Sequence, residues 1–217
     1  MPQTRKRGRP RSPGLQERRR DEILAVAARL FAERGYADAD TQELADRVGI
    51  GKGTLYRYFP SKRALFLAAA DLGMKKLSER IDAVAPPSGD PLDGMALAIQ
   101  TYLEFFDEHP EFVELLILER AEFRDRKTPT YFEHREQNSC RWEAAFEELM
   151  QSRRIRRMPP ERLLGVLGDL IYGTMFTNYF TGRKRSYRLQ AEEIVDLVFH
   201  GILTDEERER RTARNRG

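Results

Sequence analysis

Apolar residues recur every three or four positions along almost the whole chain, the spacing of one face of an α-helix. No stretch reads convincingly as the period-of-two alternation of a half-buried strand. The first periodic segment runs from about Leu15 to Arg34, placing Ile23, Ala27, Leu30 and Phe31 on one face, and Gly35 supplies its stop. Two short helices follow. A long one then runs from Ser61 to about Val84, with Phe66, Ala70, Gly73, Leu77, Ile81 and Val84 in a stripe, and Pro86 and Pro87 end it. Further helices are predicted over Leu92 to Glu108 (apolar at Met95, Ile99, Tyr102 and Phe106), Glu111 to Phe123, and about Pro129 to Ser152. Two more run from Pro159 to Thr181 and from Gln190 to Leu203. The pattern predicts an all-α chain, a small N-terminal bundle followed by a larger C-terminal helical domain. No internal repeat is evident.

The segment Pro159 to Thr181 departs from the one-sided pattern. Leu163, Leu164, Val166, Leu167, Leu170, Ile171, Met175, Phe176 and Phe180 surround its axis, with Gly165, Gly168 and Gly173 permitting close approach. A helix apolar on every side is buried on every side. One face is therefore expected in the core and another against a second copy, with Ile194, Val195, Leu197, Val198 and Phe199 of the last helix completing the interface. A helix merely central to the core is the alternative.

Composition narrows the setting. The 217 residues suit one mid-sized domain, or a small module joined to a larger one. A mean hydropathy of −0.65 and the absence of any apolar run near ~20 residues argue against a membrane span. The basic N-terminus has no apolar stretch behind it, which excludes a secretory signal. Cys140 stands alone, so no internal disulfide can form and a reducing cytoplasm is expected. Residues 1–60 hold thirteen Lys/Arg against eight Asp/Glu, a net +5, so the remainder carries −2 of the total +3. A basic front end on a slightly acidic body points to a polyanion partner at one end.

The motif that gives this chemistry its geometry spans Asp40 to Phe59. Asp40 can cap a short helix, with Glu43 three residues on completing a capping box. Ala45 is the small residue needed where two steeply crossed helices approach, and Gly49 tolerates the positive φ of the turn. Ile50 and Leu55 are expected to bury against Leu44 and Val48 and fix the crossing. These offsets form a helix-turn-helix, in which the second helix enters the major groove of DNA.

The run from Gly53 to Lys62 (GTLYRYFPSK) resembles the recognition-helix signature of the TetR family of bacterial regulators. So do Leu30-Phe31 with Gly35 upstream and Ala64-Leu65-Phe66 downstream. The specific resemblance covers about Arg18 to Ala70; beyond it only helix order and an aromatic, glycine-containing penultimate helix match. It implies a homodimer on a palindromic operator in double-stranded DNA, usually a repressor, that lets go when a small molecule enters the C-terminal domain. Carried over by position, Thr41 and Gln42 open the supporting helix, and Lys52, Gly53 and Thr54 open the recognition helix. Tyr56, Arg57 and Tyr58 are implied phosphate or base contacts, and Lys62 a phosphate anchor. The chemistry agrees, since Lys52 can donate to guanine O6/N7 and the Thr54 methyl can pack on thymine. Leu55 and Phe59 are read as core. Two positions depart from the family pattern: Asp40 replaces the usual Thr, its charge opposing a phosphate contact, and Gly51 stands where Ser or Thr commonly caps.

The division that follows is a flexible basic arm at 1–14, a helix-turn-helix DNA-binding domain at 15–62, a regulatory and dimerisation domain at 63–204, and a charged, disordered tail at 205–217. Dimerisation is assigned to about 159–181 and 190–203. Within the arm, Arg7-Gly8-Arg9-Pro10 resembles an AT-hook, which sets Arg in a narrow A·T minor groove; a non-specific basic tail is the alternative. Polar or aromatic residues at semi-buried helical positions nominate an effector site: Tyr102, Glu119, Phe123, His134, Asn138, Trp142, Tyr172 and Asn178.

Other chemistries find no support. Gly49 to Thr54 mimics a phosphate-binding loop, but Gly53 follows Lys52 where Ser or Thr is required, and a helix precedes it rather than a strand. None of His109, His134 and His200 follows a Glu by three residues, as a di-metal helical bundle needs. No catalytic residue, metal site or cofactor is expected. Two rivals to the ligand-released repressor stand open: an activator or partner-controlled DNA binder without a pocket, and a helical enzyme with a DNA-binding appendage.

Overall fold

Gly35 and Gly49 each take a positive φ where a helix breaks or ends, while the expected terminators Pro86 and Pro87 lie outside the described residues. The computed structural model describes residues 13–85, 89–182 and 186–201. Among them are ten helices: α1 (Pro13–Asp38), α2 (Thr41–Val48), α3 (Lys52–Tyr58), α4 (Lys62–Val84), α5 (Pro91–Glu108), α6 (Pro110–Glu122), α7 (Thr130–Gln137), α8 (Ser139–Gln151), α9 (Pro160–Thr181) and α10 (Tyr187–His200). No strand occurs among the described residues, so the chain is all-α. The arm residues Arg7 and Arg9 and the 205–217 tail lie outside the described residues.

Among the described residues two compact units emerge, one within 13–76 with 111–134 and the other within 77–110 with 135–201. In the first, α1 leaves helical geometry at Gly35 (φ 76°), where its stop was expected, and continues for one further turn. Its core joins Ile23, Leu24, Ala27, Leu30 and Phe31 of α1 to Leu44, Leu55, Phe59, Leu65 and Phe66, all at most 3% exposed. Around Phe66 the rings close into a cluster. Phe31, Tyr36 and Phe123 stand 5.0, 5.4 and 5.2 Å from it, each edge to face, the geometry that aromatic quadrupoles favour.

In the second unit α5 is the shared partner of α8, α9 and α10. It buries Met95, Ile99, Tyr102, Leu103, Phe105 and Phe106 against Phe146, Leu149, Leu167, Met175, Ala191 and Ile194. Asp90 caps α5 by accepting from the Leu92 N–H (2.9 Å), and Pro91 fills the first turn, where its missing N–H has no cost. The guanidinium of Arg135 lies across α9 at Gly168, donating to the Leu164 and Gly165 carbonyls (3.3 and 3.2 Å) and to Asp169 (3.0 Å). A Cβ on Gly168 would fall 2.5 Å from the Arg135 Cζ.

Two expectations need correction. The single helix predicted over 129–152 is two, α7 and α8, divided at Asn138, whose side-chain Oδ1 accepts from Ser78 Oγ (3.3 Å). Asparagine offers local hydrogen bonds that compete with helix continuation. The last helix starts a turn earlier than expected because Ser186 caps it, accepting from Leu189 N–H at 3.4 Å.

Candidate nucleic-acid interface

The turn between α2 and α3 is built as its residues require. Asp40, extended (φ −87°, ψ 125°), accepts from the Gln42 N–H at 2.7 Å and so caps α2. Glu43 does not close the expected capping box. Its carboxylate turns to Arg47 (2.6 Å) and Arg34 (3.6 Å), partners from the next turn and from α1. Gly49 takes the left-handed conformation (φ 72°, ψ 41°), and the Ile50 N–H returns to the Ala45 carbonyl at 2.9 Å, closing the end of α2. A side chain with a Cβ would be strained there. Ala45, wholly buried, sits at the close approach, while Leu44 and Leu55 are 1% exposed. Ile50 and Val48 are only half-buried, so Leu44 and Leu55 supply most of the packing that fixes the crossing.

That packing decides which way α3 faces. With Leu55 and Phe59 buried, Lys52, Gly53, Tyr56 and Arg57 are exposed, and Thr54 and Tyr58 half-buried. Arg57 has no ion-pair partner among the described residues. The Lys52 ammonium lies 3.9 Å from the Asp40 carboxylate with both groups well exposed, a contact worth ~0–1 kcal/mol. The Tyr56 hydroxyl shares a 3.2 Å hydrogen bond with Thr41 Oγ1, tying α3 to the start of α2; Thr41 itself is buried. Gln42 is exposed and donates to Asp46 (2.8 Å). Lys62 has a structural role: its ammonium donates to the Ala37 carbonyl (2.8 Å) and rests 5.1 Å from the Tyr36 ring centroid. Burial pushes the Tyr36 hydroxyl above its ordinary range, opposed by Arg63 and aided by Glu122.

Sequence reasoning missed the residues that brace this head. Arg47 bonds both Glu33 (2.9 Å) and Glu43, hydrogen bonds that hold its guanidinium charge above the ordinary arginine range. Arg19 donates to the Val48 carbonyl (3.0 Å), and the Arg20 guanidinium lies 5.3 Å from the Phe59 ring centroid. Apart from Glu43, one helical turn from Arg47, the partners are 14 to 39 positions away in sequence, and helical periodicity carries no signal at that range.

The eight effector candidates divide between the units. In the first, Glu119, Phe123 and His134 all have structural partners. Glu119 Oε1 accepts from the Thr130 N–H and hydroxyl (3.0 Å each) and pairs with Arg126 (3.1 Å). Phe123 belongs to the ring cluster, and His134 bonds Asp71 at 2.8 Å. Although burial raises the Asp71 carboxyl, hydrogen bonds from His134 and Lys75 outweigh it and hold the group below its ordinary range. In the second unit, the Tyr102 hydroxyl donates to Met175 Sδ (3.5 Å), and Tyr172 stacks edge to face on Phe176 (4.8 Å). Trp142 is half-buried beside the Arg141 guanidinium (5.1 Å), and Asn138 is exposed. Asn178 Nδ2 donates to Gln190 Oε1 at 2.7 Å. Gln190, 4% exposed, was not among the candidates; its signal was a polar residue one turn before Ile194 on the buried face of α10.

A tight turn after a capped eight-residue helix, followed by a short helix with an outward cationic face, defines a helix-turn-helix protein. A sequence profile described as "Bacterial regulatory proteins, tetR family" matches residues 23–69. The nucleoid occlusion factor SlmA of Vibrio cholerae is 30% identical over 144 residues, 64% of this chain and 69% of that protein. An HTH-type transcriptional regulator of Bacillus subtilis, YerO, is 30% identical over 118 residues, 52% of this chain. The chain spans only 40% of that regulator's length. Among solved structures, the Bacillus subtilis transcriptional regulator FadR in complex with stearoyl-CoA superposes with a TM-score of 0.71 at 19% identity, covering 84% of this chain and 99% of that one. This protein belongs to the tetR family of bacterial regulatory proteins. No helix among the described residues is long and apolar enough to cross a membrane, and no group of His, Cys, Asp and Glu that could hold a metal ion occurs among them.

Proposed function

We propose that the protein is a cytoplasmic, sequence-specific transcription repressor that binds a palindromic operator as a homodimer and is released by a small-molecule effector. The observation that carries the DNA reading is the outward face of α3, where Lys52, Tyr56 and Arg57 project while Leu55 and Phe59 are buried. Dimerisation is supported by the apolar side chains that α9 and α10 leave exposed, among them Val166 (59%), Phe180 (68%), Leu189 (56%) and Leu197 (52%). A patch of that kind on a soluble helix pair marks a protein interface. The two recognition helices then sit one turn of the groove apart, about 34–36 Å, or a small multiple of it. FadR, a structural neighbour solved with stearoyl-CoA, makes acyl-CoA thioesters the first effectors to test. Footprinting on the gene's own upstream DNA, with and without long- and short-chain acyl-CoA, checks the reading; protection that no effector relieves counts against ligand release. A second reading is favoured by the likeness to the nucleoid occlusion factor. In it the DNA-bound protein acts through a partner protein, and occupancy is insensitive to every small molecule.

Lys52 and Lys62 are expected to differ in kind. Lys52→Ala should cost about 1–3 kcal/mol of operator binding and relax specificity at one position, as loss of a base contact does. Lys62→Ala should weaken all sequences alike and lower the slope of log K against log salt by about 1. Because Lys62 also ties α4 to Ala37, Lys62→Ala lowers thermal stability as well, which Lys52→Ala does not. Binding to an operator-variant library at several salt concentrations separates the two, and matching profiles would remove both assignments.

The Arg7 and Arg9 arm is proposed to read A·T flanks. Deleting residues 1–12 should weaken binding most on A·T-flanked operators, because phosphate attraction alone carries no sequence information. Equal losses on A·T and G·C flanks at one salt concentration would leave the arm a non-specific tail.

A further inference from the structure

At the seam where α9 and α10 pack on α5, two primary amides meet and satisfy each other only halfway. Asn178 Nδ2 donates to Gln190 Oε1 at 2.7 Å, while Asn178 Oδ1 and Gln190 Nε2, both buried, find no partner among the described residues. Asn and Gln amides can be turned end for end, but the outcome does not change: a single bond between two amides leaves one acceptor and one donor over. One helical turn before Asn178, the Tyr102 hydroxyl of α5 donates to the Met175 thioether, a weak acceptor. Among the described residues no charged side chain pairs with either amide. Native proteins rarely bury polar atoms without partners, and each instance calls for a reason.

We propose that Asn178 and Gln190 form the polar recognition point of the effector site, and that they take a neutral secondary amide. The amide N–H of the effector donates to Asn178 Oδ1, and its carbonyl accepts from Gln190 Nε2. The proposal rests on the ligand-responsive reading and deepens it. A carboxylate would bring charge to amides that no cation among the described residues pairs with, and an ester would meet the donor but leave the acceptor unmatched. Discrimination by a buried hydrogen-bonding pair of this sort is steep, because the wrong ligand strands a buried group. The amide-bearing pantetheine arm of a coenzyme A thioester has the right chemistry, and so does an N-acyl amine.

The test uses the full-length protein and three small probes of one size: N-methylacetamide, methyl acetate and acetate. The side-chain amide resonances of Asn178 and Gln190, assigned by their loss in Asn178→Asp and Gln190→Glu, are followed by NMR. N-Methylacetamide is expected to shift both, at concentrations at least tenfold below those at which methyl acetate does, and acetate to shift neither. The double variant Asn178→Leu/Gln190→Leu should bind none of them selectively, yet melt at the same temperature or higher, since replacing both partners by apolar groups removes the unmet pair. Equal responses to the amide and the ester would overturn the assignment. So would a double variant that melts clearly lower, which would mark the pair as a structural, water-bridged contact. Parallel DNA-binding measurements separate this from the parent reading: selective amide shifts with unchanged operator affinity would uphold the site and refute release through it.

Discussion

Phe66→Ala should destabilise the protein by about 3–5 kcal/mol, the range for removing a buried aromatic side chain from a packed core. Phe66 is wholly buried and touches three rings from two other segments: Phe31 and Tyr36 of α1 and Phe123 just after α6. Deleting it opens a cavity that three separate stretches of backbone would have to close together, so the upper half of the range is expected. For a chain of this size the loss should lower Tm by about 10 °C. Operator affinity should fall too, because Lys62 is seated on Tyr36 and the cluster holds that ring in place. Phe66→Leu, which refills most of the volume, should recover most of the stability. Denaturant unfolding of the three proteins measures this, and a cost below about 1.5 kcal/mol for the alanine variant would show that the cluster is not the centre of its unit.

The second large effect concerns assembly. Val166→Glu with Leu197→Glu places two charges on side chains that are already 59% and 52% exposed, so the fold of each copy should survive. If those faces pair, the charges must be desolvated without partners, and the dimer should fail. Operator binding then loses its second, effectively intramolecular contact, a fall of about 10²–10⁴ in affinity without any change in α3. Sedimentation reports the assembly state, circular dichroism the fold, and operator titration the affinity. A variant that stays dimeric would relocate the interface away from α9 and α10.

How much of this was legible in the sequence depends on the range of the interaction. The helix-turn-helix was readable because its determinants are local: Asp40, Ala45, Gly49 and Leu55 act within fifteen residues of one another. The all-α class followed from periodicity for the same reason. The division of the 129–152 helix was not visible, since it turns on Asn138 and on Ser78, sixty positions away. The bracing of the head by Arg19, Arg20 and Arg47 was missed likewise, and Glu43 was assigned to a cap although α1 presents it with a cation. The effector candidates fared according to what surrounds them. A polar residue on an apolar helix face cannot by itself reveal whether its partner is a neighbouring side chain, as for Glu119 and His134, or is missing, as at Asn178 and Gln190.

The Arg135 guanidinium laid over Gly168 makes these two positions one unit of variation. Gly168→Ala does not press on backbone; it evicts the guanidinium and strands the hydrogen bonds to Leu164 and Gly165. With Arg135 already replaced by alanine there is nothing left to evict, and the same glycine change becomes nearly silent. The pair should therefore show strong epistasis, with Arg135→Ala acting as a suppressor of bulkier residues at 168. A chain evolving through this site gains a side chain at 168 only as the arginine swings aside or is lost.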